Sequence, residues 1–304
     1  MNSSAAFCSR SSQFINPIGE IFHYMASKIP YKLLVRSFLS ISLGLFVCSL
    51  PTLTLAKSIF KAPARGGLPG RREPAGVRGQ CLDAKLVPNL PPLPANQTYA
   101  FPKNYRTLAA LTPAPDRSIG QTVSGYPTFF WHQPPFKPDY AKTVEFILYE
   151  WRGPRNVKVV YKTLLPIGDQ SGVMSFKLPE KPGVAPLQVG KVYRWSINVI
   201  CDLNDRTAED AADGFIERVN FAPDLQSKLK KTSVAEVPAI YAAAGIWHEA
   251  LTTLAALRRS KPNDPNLAAL WSDLLEGIDL KKLAQEPLVD CCTVSSIKPK
   301  GMEE

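Results

Sequence analysis

Histidine is the commonest general base and a frequent zinc ligand. This chain of 304 residues has three: His23, His132 and His248. No H-E-x-x-H, paired C-x-x-C or nucleophile-elbow G-x-S-x-G pattern accompanies them. A Ser-His-Asp triad or a His-ligated metal centre therefore lacks its parts. The helical pattern places His248, beside Glu249, on a surface face, and His132 ends a strand before Pro134 and Pro135. Carboxylates are more plentiful. Asp202, Asp205, Glu209, Asp210 and Asp213 follow one long strand and read as a loop. Asp202 and Asn204 begin like a calcium loop, but Arg206 takes the next ligand position and no closing Glu follows at the required spacing. The same acids could supply the pair that glycoside hydrolysis needs, yet no pattern of cleft aromatics selects two of them. The expectation is a protein that is not an enzyme, with no catalytic residue, cofactor or metal, and with a carboxylate-based hydrolase as the third-ranked reading.

The elements that would position any site begin well inside the chain. Ser37 to Ala56 is apolar and uncharged, follows Lys28, Lys32 and Arg36, and ends in Thr54-Leu55-Ala56, a small-x-small cleavage pattern. Residues 1–56 read as a signal peptide cleaved after Ala56, with Met25 as a candidate true start. Pro51 interrupts the apolar run, so no stable membrane span is expected after cleavage. The expected location is periplasmic or secreted. The net charge is +10; residues 1–56 carry four Lys/Arg and one Glu, so the remainder keeps 32 bases and 25 acids, a net +7. That excess suits anionic surfaces. An exported protein rarely meets nucleic acid, and none is expected as a partner.

Residues 57–99 form a basic, Gly- and Pro-rich arm and linker. Arg65, Arg71, Arg72 and Arg78 stand there against the single acid Glu73 between them. They are the candidate contacts to an anionic partner, although a solvated arm is the simpler reading. Export permits disulfides. Cys81, at the end of the arm, and Cys201, at the end of the long strand, are the candidate pair, while Cys291 and Cys292 lie in the tail.

Residues 100–222 alternate like strands: Thr107–Leu111, Thr122–Trp131 with a turn around Gly125-Tyr126-Pro127, Thr143–Trp151, Asn156–Leu164, Val173–Leu178, the strand holding Tyr193, Trp195, Ile197 and Val199, and Gly214–Phe221. Seven short strands bounded by turns predict an antiparallel β-sandwich. Leu187, Gly190 and Tyr193 have the spacing of a tyrosine corner, in which the phenol bonds back to upstream backbone. Residues 223–283 change to helical periods. Gly245 has the place of a left-handed cap, and Trp247, Ala250, Leu251, Leu254 and Leu257 form one apolar stripe. Residues 284–304 are expected to be a disordered tail. The fold class is thus α+β, an N-terminal antiparallel sandwich followed by a C-terminal helical unit. Trp131, Trp247 and Trp271 read as core. Trp151, at a strand end beside Arg152 and Gly153, is the aromatic best placed as a binding platform.

Four blocks in this order, G-R-R-E-P-A-G-V-R-G-Q-C, P-T-F-F-W, L-Q-V-G-K-V-Y-R-W-S-I-N-V-I-C-D and Y-A-A-A-G-I-W-H-E-A-L-T-T-L-A-A-L-R, resemble the cyanobacterial family of unknown function numbered 928, over roughly residues 65–280. The resemblance implies lineage and export, and no mechanism. Within it, Pro127 to Val199 is similar to fibronectin type III and immunoglobulin-like modules, although Trp195 stands two residues after Tyr193 where an immunoglobulin domain has Cys. Tyr241, Gly245, Glu249-Ala250 and Pro262 resemble the second half of a tetratricopeptide repeat, a half hairpin that must pack on something else. The leading expectation is a non-catalytic module that binds an envelope or periplasmic protein through its helices or a sheet edge. The alternative is a carbohydrate-binding module for an anionic envelope polysaccharide.

Overall fold

The computed structural model describes residues 60–63, 67–73, 107–114, 116, 118–136, 143–166, 171–200 and 209–289. The chain divides into two units, Met1–Leu53 and Thr54–Glu304, and every described residue belongs to the second. Cys81, Cys201, Cys291, Cys292, Arg65 and Arg78 lie outside the described residues, as do Asp202 and Asp205.

The chain is α+β, with eight strands before four helices among the described residues. The strands are β1 (Ala109–Ala110), β2 (Gly120–Thr122), β3 (Thr128–Gln133), β4 (Thr143–Trp151), β5 (Val157–Pro166), β6 (Gly172–Lys177), β7 (Val192–Ile200) and β8 (Asp210–Arg218). They make a small sheet of order β1-β3-β6 and a large one of order β2-β8-β7-β4-β5. The helices are α1 (Pro223–Lys230), α2 (Val237–Ala243), α3 (Trp247–Ser260) and α4 (Pro265–Glu276), followed by a 3-10 turn at Lys281–Leu283.

The turn expected around Gly125-Tyr126-Pro127 is present and divides the 122–131 segment between the two sheets. The resulting β2 runs parallel to β8, so the strands are not antiparallel throughout. Asp210 and Asp213 belong to β8 rather than to a loop. Gly214, read as the start of that strand, lies in its middle; a Cβ there would collide with Thr112 Cγ2 and come 2.9 Å from Trp195 Nε1.

Alternation on β7 and β4 turns Tyr193, Trp195, Ile197, Val144, Phe146 and Leu148 towards the small sheet. Phe129, Trp131, Met174 and Phe176 come from β3 and β6 to meet them. Phe129 and Phe176 each lie 4.9 Å from Phe146 by ring centroid. A fully buried side chain of this size contributes about 1.5–3 kcal/mol, so this shared core dominates the stability of the two sheets.

The small sheet is also covered on its other side. Phe130, Ala109, Leu111 and Val173 pack with Trp247, Leu251 and Leu254 of α3 and with Trp271 and Leu274 of α4. Trp247 donates its indole N–H to the Leu111 carbonyl at 2.9 Å. This double covering explains why nearly all of β3 is buried and shows no alternation. It also corrects the placement of His248. That residue is buried against the small sheet, with Nδ1 3.1 Å from the Thr128 carbonyl. The tail is seated as far as Val289: Val173 donates to the Pro287 carbonyl (2.8 Å) and Val289 to the Val173 carbonyl (2.9 Å).

Helix ends follow ordinary chemistry. Asp264 accepts from the N–H groups of Asn266 (2.9 Å) and Leu267 (3.4 Å) and caps α4, with Pro265 at its first turn. Gly245 ends α2 at φ +77°. Its N–H bonds the Ala242 carbonyl and that of Ile246 bonds the Tyr241 carbonyl, the paired bonds of a Schellman motif.

Candidate functional site

The outer face of the large sheet carries the site. Register places Arg194 of β7 between Tyr149 of β4 and Phe215 of β8, and Asp213 opposite Ser196. Trp151 ends β4 half-buried, and Phe215 meets its ring edge-on at 5.1 Å, fixing the indole plane. The basic arm completes the wall. Asp213 donates its N–H to the Arg71 carbonyl at 2.9 Å, and its Oδ1 accepts from the Arg71 N–H at 3.1 Å. Arg72 continues the seam by accepting from the Ala110 N–H at 2.9 Å. The arm is therefore bonded to β8 in one sheet and to β1 in the other, rather than solvated along its length.

These elements enclose an open recess of about 510 Å³ lined by Pro69, Gly70, Arg71, Trp151, Pro154, Arg194, Ala211 and Asp213. Asp213, 7% exposed, is the one carboxylate in the lining. Its Oδ2 accepts from Arg194 Nη2 at 2.9 Å. Arg194 Nε is buried with no hydrogen-bond partner. Arg71 is exposed, and its guanidinium has no ion-pair partner among the described residues. Two guanidinium groups against one carboxylate leave the recess with one positive charge in excess. An unpaired guanidinium beside a fixed indole can grip a carboxylate or sulfate while an apolar ring face lies on the indole.

The other sequence candidates lie elsewhere. Arg72 points away from the recess, with Nη1 donating to the Ile278 carbonyl and Nη2 3.8 Å from Glu73. Leu187, Gly190 and Tyr193 form a corner at the start of β7, with the Tyr193 ring on the inner face of the sheet. Tyr193 Oη accepts from the Gln188 N–H at 2.9 Å, Gly190 sits at φ +78°, and buried Leu187 donates to the Gly125 carbonyl. Asp210 and Asp213, three apart on one strand, point to opposite faces and do not form a carboxylate pair. Burial pushes Asp210 up to about 6. Burial also pushes His248 down to about 4. It raises Glu249 too, against hydrogen bonds from the Thr122 hydroxyl (2.6 Å) and the Ser124 N–H (3.1 Å). His132 is buried with Nδ1 2.7 Å from the Thr107 carbonyl and Nε2 3.6 Å from Glu286. Among the described residues no group of three or more His, Cys, Asp or Glu could hold a metal ion. No described helix is long and apolar enough to cross a membrane.

Residues 82–288 match the family described as Domain of Unknown Function (DUF928). The chain belongs to this family. No curated protein matches it. The DUF928 match contains all eight strands and four helices, and with them Trp151, Arg194 and Asp213. Pro69, Gly70 and Arg71 precede it, so the recess joins the DUF928 region to the arm before it. Sequence reasoning selected Arg71 and Trp151, and Asp213 only as one of five candidate loop acids; it did not select Arg194, whose one signal was its outward position on β7.

Proposed function

We propose that this DUF928 protein is an exported, non-catalytic binding module that holds an anionic envelope polysaccharide in the Arg71–Trp151–Arg194 recess. The observation that carries the reading is the unpaired Arg71 guanidinium facing a fixed, half-exposed indole across about 510 Å³. A sugar ring offers C–H groups to the indole, and a uronate or sulfate group offers charge to the arginines. The leader-like Ser37–Ala56 stretch supports export. The strand order and the Tyr193 bond support a fibronectin type III-like sandwich, a scaffold that by itself names no ligand.

The test is titration calorimetry with polygalacturonate, a sulfated glycan and neutral dextran. The acidic glycans should bind and dextran should not. Hydrogen bonds to charged groups contribute about 1.5–3 kcal/mol, so Arg71→Ala should weaken binding by roughly 10- to 150-fold, and Trp151→Ala by a comparable factor. Equal affinity for dextran, or binding untouched by both substitutions, would overturn the reading. A protein partner is the second reading, and the exposed apolar residues of β5 favour it.

A further inference from the structure

Among the described residues β5 is a free edge of the large sheet, paired with β4 on one side only. It carries Val157 (44% exposed), Val159 (52%), Val160 (37%) and Leu164 (51%), four of the seven large apolar side chains exposed among the described residues. Edge strands are ordinarily blunted by proline, shortness, charge or bulges, and β5 has one bulge, at Val160. Here proline comes only at the end, Pro166, and the strand is ten residues long. Of its two lysines, Lys162 is held by Glu145 at 2.7 Å.

We infer that β5 pairs antiparallel with β5 of a second copy of this chain, joining the two large sheets into one continuous sheet. The bulge fixes the register. Leu148 pairs with Tyr161 and Tyr149 with Val159, so Val160 is the extra residue. Side chains alternate along a strand. The outer face therefore holds Val157 and Val159 before the bulge, and Lys162 and Leu164 after it. About a two-fold axis at Val160–Tyr161, Val157 of one copy meets Leu164 of the other, and Val159 meets Lys162. Outer residues then oppose outer residues, and Lys158 faces Thr163. A slip of one residue sets Lys158 against Lys162 and mixes the two faces, and like charges directly opposed are unfavourable. The favoured register thus gives Val157 and Val159 cross-strand neighbours on the outer face and keeps the lysines apart.

This pairing does not depend on the saccharide reading, and its test needs no ligand. The full-length protein should run as a dimer in light scattering at the highest soluble concentration. A photo-crosslinking benzoylphenylalanine at position 157 should capture the peptide containing Leu164. Those positions lie roughly 24 Å apart along one strand, so such a link must join two copies. Val159→Lys sets lysine against Lys162 at both symmetric contacts and should weaken dimerisation by roughly 2- to 30-fold. Val159→Asp, facing the same Lys162, should leave the dimer as tight as wild type or tighter. A monomeric wild-type protein, crosslinks mapping to another peptide or another protein, or equal disruption by both substitutions would overturn the inference.

Discussion

Replacing Tyr193 by Phe removes one oxygen atom from the corner that precedes β7 and nothing else. In the structure that oxygen accepts the Gln188 N–H at 2.9 Å, and Tyr193 is 4% exposed. The ring stays in the shared core, so the transfer term of the substitution is small. The cost is that of the bond to the Gln188 N–H, a donor on an exposed residue that can turn to water. The net worth of such a bond is about 0.5–1.5 kcal/mol. For a domain of this size each kcal/mol lowers Tm by roughly 2–4 °C, so a fall of roughly 1–6 °C is expected. Urea unfolding followed by tryptophan fluorescence gives the free energy directly; the midpoint should fall with the slope unchanged. Tyr126→Phe is the control. Its hydroxyl donates to the Val184 carbonyl at 3.2 Å from a half-buried site, and the carbonyl can turn to water. Loss of less than about 0.5 kcal/mol in Tyr193→Phe, or an equal loss in the control, would refute the view that this bond anchors the corner.

Asp264→Ala removes the cap that accepts two N–H groups at the start of α4 and should cost about 1 kcal/mol in the same urea assay, with Asp264→Asn losing much less. Two buried groups set opposite pH slopes. His248, held down at about 4 against 6.5 when unfolded, contributes stability that is present above 6.5 and lost as pH falls towards 4. Asp210, held up at about 6 against 3.8, contributes stability present below 3.8 and lost as pH rises through 6. Between pH 4 and 6 the two oppose each other. Asp210→Asn should therefore leave stability rising with pH in that window, and His248→Gln should leave it falling, both read from urea midpoints across the range. Glu150, pulled down to about 2 by hydrogen bonds from Arg152 and Lys191, acts in the lower window. Its contribution is complete above 4.5 and lost as pH falls towards 2, so Glu150→Gln should flatten acid unfolding there.

Periodicity revealed those parts of the fold that have one wet face. On β7 the buried Tyr193, Trp195, Ile197 and Val199 alternate with Arg194 and Asn198, and the strand follows from that pattern alone. β3 has no wet face, because helices cover one side and the large sheet the other; the Gly125-Tyr126-Pro127 turn marked its start, but no alternation revealed that both its faces are buried. His248 was placed on the surface because the apolar stripe of α3 set a narrow buried arc. The helix lies flat on a sheet, which buries a wider arc and takes in the position next to Trp247. Asp213 was read as loop because acids are poor strand formers, but its carboxylate is occupied by Arg71 and Arg194. The recess itself was beyond periodicity. Its walls come from residues 69–71, 151–154, 194 and 211–213, and backbone pairing of the arm with β8 brings the first of these into place.

The seam between the early arm and the late helices bears on how the chain is made. Arg72 bonds the Ile278 carbonyl, 206 residues further on, and the Leu111 carbonyl waits for Trp247, 136 residues later. Phe60 rests on the same Trp247, and Lys61 donates to the carbonyl of Ala242. A ribosome delivers the chain from the amino end, so the arm and the small sheet emerge long before the helices that complete them. Until α3 and α4 follow, Phe130 and Leu111 stay open to solvent. Vectorial synthesis thus holds back closure of this protein until its last third has appeared, and during that interval a holdase that shields β3 has its clearest target.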